Sequence, residues 1–157
     1  MKRVVILGRG AAGKSTLARC LREITGLPVT ELDKLFWQPG LTATAPDQWV
    51  IAQQKLVGQD AWILDGDLGP YDVIEPRLRA ADTIILLDFS LLRCAWRAFR
   101  RAPERGDFWR WVWTYRRRYL PVLKQAIAHY APNAQLFILR SPRAVRRFLA
   151  DIARAAV

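Results

Sequence analysis

Residues 8–15 have the composition and spacing of a phosphate-binding loop. The stretch reads Gly-Arg-Gly-Ala-Ala-Gly-Lys-Ser and fits the pattern G-x-x-x-x-G-K-[ST]. Glycines let the backbone adopt conformations in which successive N–H groups converge on phosphate oxygens. Lys14 can reach the β- and γ-phosphates of a nucleotide, and the Ser15 hydroxyl can ligate magnesium. The stretch predicts a nucleoside-triphosphate site whose phosphate contacts come from Gly8, Gly10, Ala11, Ala12, Gly13, Lys14, Ser15 and Thr16.

The segments on either side of this loop support the same interpretation. Residues 3–7 are a continuous apolar run, typical of a strand buried on both faces. Residues 15–24 carry apolar side chains at helical spacing, so a helix should begin near Gly13 and direct the positive end of its dipole at the phosphates. Strand, loop and helix follow in the required order, which a glycine-rich turn that binds nothing would not need.

Four aspartates follow directly after predicted strands, where ligands of open parallel sheets bind. Asp65 follows an apolar run, as a magnesium-side carboxylate does, and we expect it to hold Mg²⁺ with Ser15 directly or through water. The alternative is that Asp65 caps the turn with the glycine after it. Along the chain the four aspartates are Asp33, Asp65, Asp67 and Asp88.

Asp33 is the candidate for the site of a second substrate. A carboxylate there could orient the hydroxyl that attacks the γ-phosphate, or accept its proton. The alternative is that Asp33 only turns the chain after the second strand. For Asp88 the sequence leaves two interpretations open, a ligand site and a helix cap, because Ser90 beside it suits an N-cap.

Composition bounds the class of protein. The 157 residues suit one domain, residues 1–157, with no linker or repeat. The two cysteines, Cys20 and Cys94, have no metal-ligand spacing and are expected to be reduced core residues. No secretory signal and no apolar run of membrane-spanning length is visible, so we expect a cytoplasmic protein.

The net charge of +11 is unevenly distributed. Residues 1–89 carry ten Lys/Arg and eleven Asp/Glu, whereas residues 90–157 carry fifteen Lys/Arg and three Asp/Glu. Such a basic half fits a phosphate-rich ligand, a nucleic acid or a solvated cationic face. Arginine supplies positive charge to phosphoryl oxygens, so arginines between 93 and 118 are candidates for the phosphate shell.

Short apolar runs alternate with helical patterns, which predicts an α/β domain with five parallel strands and helices on both faces. A long helix from Asp107 to about Tyr130 should kink at Pro121. Its amino-terminal aromatic residues keep helical spacing, which favours a place in the core over a role in base stacking. They are Phe108, Trp109, Trp111 and Trp113.

Residues 8–18, 32–40, 62–66, 81–88 and 139–149 together resemble one family, the adenylate-kinase-like P-loop proteins often labelled topology modulation proteins. The resemblance covers almost the whole chain. It implies a three-layer P-loop NTPase fold, nucleoside-monophosphate-kinase-like, with a sheet of order 2-3-1-4-5. The segment 101–107 corresponds to a lid that is shorter than in many relatives.

The resemblance also implies roles for individual arginines. Arg93 and Arg97 match arginines at the root of the lid that contact adenine and phosphates. Arg143 belongs to a turn that matches a loop beside the adenine ring, and Arg77 falls in a region that contacts the acceptor. Asp67 stands where relatives often have asparagine, and an extra carboxylate there does not favour an anionic acceptor.

Together these observations predict an ATP-binding, Mg²⁺-dependent phosphotransferase that acts on a small molecule or a nucleotide. Lys14, Asp33 and Arg97 would serve the reaction, with ATP and Mg²⁺ as its cofactors. Two alternatives remain open at this point. One is an ATP-responsive nucleic-acid-binding protein, although no DNA-reading motif is found. The other is a degenerate kinase that binds ATP without transferring phosphate.

Overall fold

Five parallel strands form the centre of the protein. A computed structural model describes residues 1–40, 42–101, 110 and 113–155, without the side chains of 70, 97, 98, 100 and 101. In chain order its elements are β1 (Arg3–Gly8), α1 (Lys14–Thr25), β2 (Val29–Glu31), α2 (Leu32–Phe36), β3 (Trp37–Gln38), β4 (Thr42–Ala43), α3 (Pro46–Val57), β5 (Trp62–Asp65), a 3₁₀ turn (Gly69–Tyr71), α4 (Glu75–Ala80), β6 (Thr83–Leu87), α5 (Leu91–Arg101), a π turn (Tyr115–Tyr119), α6 (Leu120–Tyr130), β7 (Gln135–Leu139) and α7 (Pro142–Ala155).

The order of the strands across the sheet is β2-β5-β1-β6-β7, and every neighbouring pair is parallel. Strands β3 and β4 form a separate antiparallel hairpin. Counted without that hairpin, the order is 2-3-1-4-5, so the predicted fold class is confirmed. Strand β1, which leads into the loop 8–15, lies at the centre of the sheet between β5 and β6.

Alternation along the strands divides the core into two layers. Val5 and Leu7 face one side of the sheet, where they join a buried cluster that includes Trp49 of α3. Val4 and Ile6 face the other side and pack with residues of α1 and α7. Successive side chains of a strand point to opposite faces, so a central strand that is covered on both sides must be apolar throughout.

Asp33 does not follow directly after a strand, contrary to the sequence prediction. Strand β2 ends at Glu31, and Leu32 begins the short helix α2, which places Asp33 in its first turn. Leu32 and Phe36 are both buried, and a spacing of four brings them to one helix face. Burial of this pair explains why the chain turns helical here.

The predicted long helix is only partly visible, because most of residues 102–112 lie outside the described ranges, as does most of the predicted lid. A π turn precedes α6, and Pro121 is in the first turn of α6. Proline lacks an N–H and crowds the preceding carbonyl, so the α-helical hydrogen-bond pattern changes before it. Trp113 is 74% exposed, so the core prediction is wrong for this residue. None of the described helices has the length and apolarity needed to cross a bilayer.

A buried polar network fixes the chain after β5. Arg77 is fully buried and donates to Gln53 Oε1 over 2.7 Å and to Asp72 Oδ1 over 2.9 Å. Asp72 also accepts the Trp49 indole N–H over 3.3 Å and the backbone N–H of Leu68 over 3.3 Å. The network therefore ties the segment 68–72 to α3 and α4. It also engages Arg77, the residue that the family resemblance places near the acceptor.

We expect Asp72→Ala to lower the free energy of unfolding by about 3–5 kcal/mol, because it leaves the Arg77 cation buried without its carboxylate. Urea unfolding followed by circular dichroism measures this. Glu75→Ala is the matched control, since it removes the exposed ion pair with Arg79 and should change stability by no more than about 1 kcal/mol. Equal effects of the two substitutions would contradict the assignment.

Candidate active site

The loop between β1 and α1 has the backbone conformation that its sequence predicts. Gly8, Ala11 and Gly13 have φ angles of 144°, 59° and 98°. Turns that mix left- and right-handed residues form concave nests of N–H groups that bind anions. Gly8 is also required sterically, because a Cβ atom there would lie 2.6 Å from the carbonyl oxygen of Leu87 on β6. The loop is therefore shaped by its place between strands as well as by its glycines.

Lys14 is the first residue of α1, and its side chain folds back over the loop. Its Nζ donates to the carbonyl oxygens of Gly8 and Arg9 over 3.0 and 3.4 Å. Gly13 caps the helix without a side chain, so no side-chain cap occupies the first N–H groups of α1. A lysine ammonium beside an uncapped helix amino terminus is a favourable environment for phosphate.

Asp65 and Ser15 lie side by side, as a shared magnesium ion requires. Asp65 ends β5 opposite Ile6, is 3% exposed and hydrogen-bonds to Ser15. Burial raises the pKa of the Asp65 carboxyl group, while the Ser15 hydrogen bond and the Lys14 charge oppose the rise. Asp65 Oδ1 is buried and finds no hydrogen-bond partner in the described chain.

These two residues fit a magnesium ion. An orphaned carboxylate oxygen beside a hydroxyl offers the hard oxygen ligands that Mg²⁺ prefers, and Mg²⁺ on a nucleotide needs only one or two carboxylates. Within the ranges that the structure describes, no group of three or more His, Cys, Asp or Glu side chains could hold a metal. The remaining ligands would have to be phosphate oxygens and water.

Asp67 turns inward and braces the start of the loop. Its Oδ2 accepts the backbone N–H of Gly8 over 3.1 Å and the hydroxyl of Tyr115 over 3.3 Å. Its Oδ1 accepts the N–H of Gly69 over 3.2 Å, and Tyr119 bonds to the carboxylate as well. Burial raises the pKa of the Asp67 carboxyl group, and Lys14 opposes the rise. The sequence places Asp67 at the correct edge of the sheet but gives no signal for this supporting role.

Asp33 lies at the rim of the same site, on the side of β2. The residue is exposed, but protein atoms displace part of the water around its carboxyl group and raise its pKa. Lys14 opposes this rise, and the nearby carboxylates of Asp65 and Asp67 add to it. The structure thus brings Asp33 within electrostatic reach of the loop lysine and of the predicted magnesium carboxylate.

The arginines of the basic half divide into two groups. Asp88 accepts two hydrogen bonds from Arg116, over 3.0 and 3.2 Å, and forms an ion pair with Arg140 over 3.7 Å. Asp88 is thus an ion-pair centre, and Arg116 belongs to it.

Arg93 and Arg143 are exposed on α5 and α7, which start at the carboxyl ends of β6 and β7. Arg97 also lies on α5, but its side chain is outside the described part.

The same fold occurs in solved structures of small-molecule kinases. An unliganded sugar kinase from Janibacter sp. HTCC2649 is 20% identical with a TM-score of 0.62, covering 100% of this chain and 98% of that one. A gluconokinase from Sinorhizobium meliloti 1021 is 17% identical with a TM-score of 0.59, covering 99% and 93%. A shikimate kinase from Acinetobacter baumannii in complex with shikimate is 15% identical with a TM-score of 0.66, covering 99% and 92%.

No family model and no curated protein matches the chain. At these low identities the three likenesses establish the fold, which is that of the P-loop kinases. The predicted P-loop fold is thereby confirmed. The closer resemblance to topology modulation proteins stays a prediction.

Asp65→Asn should raise thermal stability at neutral pH and weaken Mg²⁺-dependent nucleotide binding. Because the folded pKa of Asp65 is raised, its contribution to stability is full below the ordinary pKa of about 3.8. That contribution is lost as the pH rises through the raised value. The stability gain of the variant should therefore be present at pH 7 and vanish below about pH 3.8.

Thermal unfolding over a pH series measures the stability effect, and calorimetry with ATP and Mg²⁺ measures binding. Asp60→Asn, at an exposed aspartate before β5, is the control and should change neither. A lower midpoint for Asp65→Asn at pH 7 would show that the buried carboxylate stabilises the fold, contrary to this account.

Proposed function

We propose that this protein is a phosphotransferase that moves the γ-phosphate of ATP to a hydroxyl group of a small molecule. The observation that carries the proposal is the meeting of four side chains at one edge of the sheet. Lys14 and Ser15 come from the glycine loop, Asp65 from β5 and Asp33 from α2. The P-loop kinase fold supports the proposal, because its ligands bind at this edge.

In the proposed reaction the backbone of residues 8–16 holds the β- and γ-phosphates. Lys14 moves its ammonium from the loop carbonyls onto the phosphate oxygens, where charge develops during transfer. Ser15 and Asp65 would hold Mg²⁺, which would neutralise charge on the phosphates. Lys14, Ser15 and Asp65 thus supply the electrostatic part of the reaction.

Asp33 orients the acceptor hydroxyl and takes its proton as the oxygen attacks phosphorus. A carboxylate with a raised pKa is a stronger base than an ordinary one, so its surroundings favour this role. The bond from phosphorus to the β–γ bridging oxygen breaks, ADP leaves, and the acceptor keeps the phosphoryl group. Arg97 is proposed to stabilise the transferred group, and Arg93 and Arg143 to contact the nucleotide.

The acceptor is proposed to be a small hydroxylated compound. The three structural neighbours are named for sugar, gluconate and shikimate, each of which carries hydroxyl groups. On this chain Arg77 is fully buried in its pair with Asp72, so it is unsuited to bind an acidic acceptor. A polyol or sugar fits these surroundings better than a monophosphate does.

Lys14→Ala should reduce phosphate transfer at least about 100-fold while the protein still folds, since the residue stabilises the charge that develops on the phosphate oxygens. An assay that resolves ATP, ADP and phosphorylated products over a panel of polyols, hydroxy acids and nucleoside monophosphates measures this. Lys34→Ala, at an exposed lysine paired with Glu31, is the control and should retain activity. Turnover that survives Lys14→Ala would remove the loop from the mechanism.

Asp33→Asn should lower kcat by about 10²- to 10⁴-fold with little change in ATP affinity, because it removes the base and leaves the phosphate site intact. Steady-state kinetics with the best acceptor, and calorimetry with ATP, measure the two quantities. Asp47→Asn, at an exposed aspartate on α3, is the matched control. An unchanged kcat would show that Asp33 only turns the chain.

A further inference from the structure

Tyr115, the first residue of the π turn, contacts the start of the phosphate-binding loop in two ways. The guanidinium carbon of Arg9 lies 5.3 Å from the centre of the Tyr115 ring. The Tyr115 hydroxyl donates over 3.3 Å to Asp67 Oδ2, the same oxygen that accepts the N–H of Gly8. Tyr115 therefore contacts Arg9 directly and is linked to Gly8 through hydrogen bonds to the Asp67 carboxylate.

All of these groups are buried, so water does not compete with the contacts between them. Arg9 and Tyr115 are each 1% exposed, and Asp67 is 4% exposed. Arg9 Nε and Nη1 have no hydrogen-bond acceptor among the described residues. A cation–π contact strengthens where water is excluded, and a buried guanidinium without acceptors is otherwise unfavourable. The ring of Tyr115 is thus a principal contact that keeps the Arg9 side chain in place.

The π turn also contacts the carboxyl edge of the sheet through Arg116. Arg116, the next residue, donates two hydrogen bonds to Asp88 at the end of β6. The turn thereby touches the ends of three adjacent strands, β1 through Arg9, β5 through Asp67 and β6 through Asp88. Single π turns within helices occur frequently at functional sites.

We propose that Tyr115 is a positioning residue for the phosphate-binding loop. It holds Arg9 and Asp67, and through them it keeps residues 8–13 in the conformation that receives phosphate. Nucleotide affinity is then coupled to the π turn, and so to the helix that follows residues 102–112. The coupling to affinity rests on the proposed function, whereas the positioning of the free loop does not.

The first test uses the free protein. Tyr115→Phe removes the hydroxyl and keeps the ring, and Arg9→Met removes the guanidinium and keeps an extended side chain. Hydrogen–deuterium exchange of peptides covering residues 4–17 should become about three- to tenfold faster in each variant, the effect of about one hydrogen bond. Peptides from α7 should be unaffected. Equal acceleration throughout the chain, or no acceleration in the loop, would overturn the proposal.

A second arginine–tyrosine pair provides the matched control. The guanidinium of Arg79 on α4 lies 4.9 Å from the ring centre of Tyr130 on α6. Arg79→Met and Tyr130→Phe make the same chemical changes away from the loop and should leave exchange in residues 4–17 unchanged. Acceleration there by the control pair would show that general stability, and not the position of Tyr115, governs the loop.

The second test measures ATP affinity by calorimetry for the wild type, Arg9→Met, Tyr115→Leu and the double variant. Each single change should weaken ATP binding. The loss of affinity in the double variant should be smaller than the product of the two single losses, because the second change removes a contact whose partner is already gone. Independent effects would overturn the proposal. If Tyr115→Leu fails to fold, Tyr115→Phe should still weaken binding about three- to tenfold.

The two tests separate the proposals. A wild-type protein that binds no ATP, with loop exchange still accelerated by Tyr115→Phe, refutes the proposed function and leaves the positioning role standing. A wild-type protein that binds ATP, with binding and loop exchange indifferent to Tyr115→Phe, refutes the positioning role alone.

Discussion

A buried carboxylate loses its hydration shell and gains nothing from apolar neighbours, so hydrogen-bond donors around it offset part of that cost. Asp67 is in this position, and the donors that satisfy it belong to Gly8, Gly69 and the two tyrosines of the π turn. Each donor is thereby fixed relative to the others. The loop, the turn after β5 and the π turn before α6 all donate to this one carboxylate, so none of them can move without leaving that charge less well solvated.

Three carboxylates of the candidate site share an environment that disfavours their charged form. Asp33, Asp65 and Asp67 all have a raised pKa, with burial the leading cause for each, and Lys14 is the cation that opposes the rise for all three. Loss of hydration at these positions costs free energy, and a bound cation can offset part of that cost. Active sites commonly trade stability for function in this way. The buried Asp72–Arg77 pair beside them keeps the surrounding chain in place.

Much of this architecture could be predicted from sequence, because it depends on local patterns. The glycine loop, the apolar strands and the choice of Asp65 as a magnesium carboxylate follow from residue type and spacing, whereas the strand order that sets Asp65 beside the loop is implied by the family resemblance. The inward turn of Asp67 could not be predicted, since it depends on tyrosines about 50 residues away in the chain. The helical start at Leu32 likewise depends on burial of Leu32 and Phe36, which only the packed layers decide. Trp113 has helical spacing and is nevertheless exposed. Periodicity shows which residues share one face of a helix, but it does not show whether another element covers that face.

The fold places the two differently charged parts of the sequence in different elements. Residues 1–89 supply β2, β5, β1 and β6, whereas the basic residues 90–157 supply β7, at one edge of the sheet, and the helices α5, α6 and α7 that pack on its two faces. The net positive charge is therefore concentrated in the part of the chain that follows β6. Under the proposed function, this positive charge attracts a polyanion such as ATP from solution before any contact forms. On that proposal the basic half contributes to the speed of encounter, which is distinct from any contact that holds the ligand.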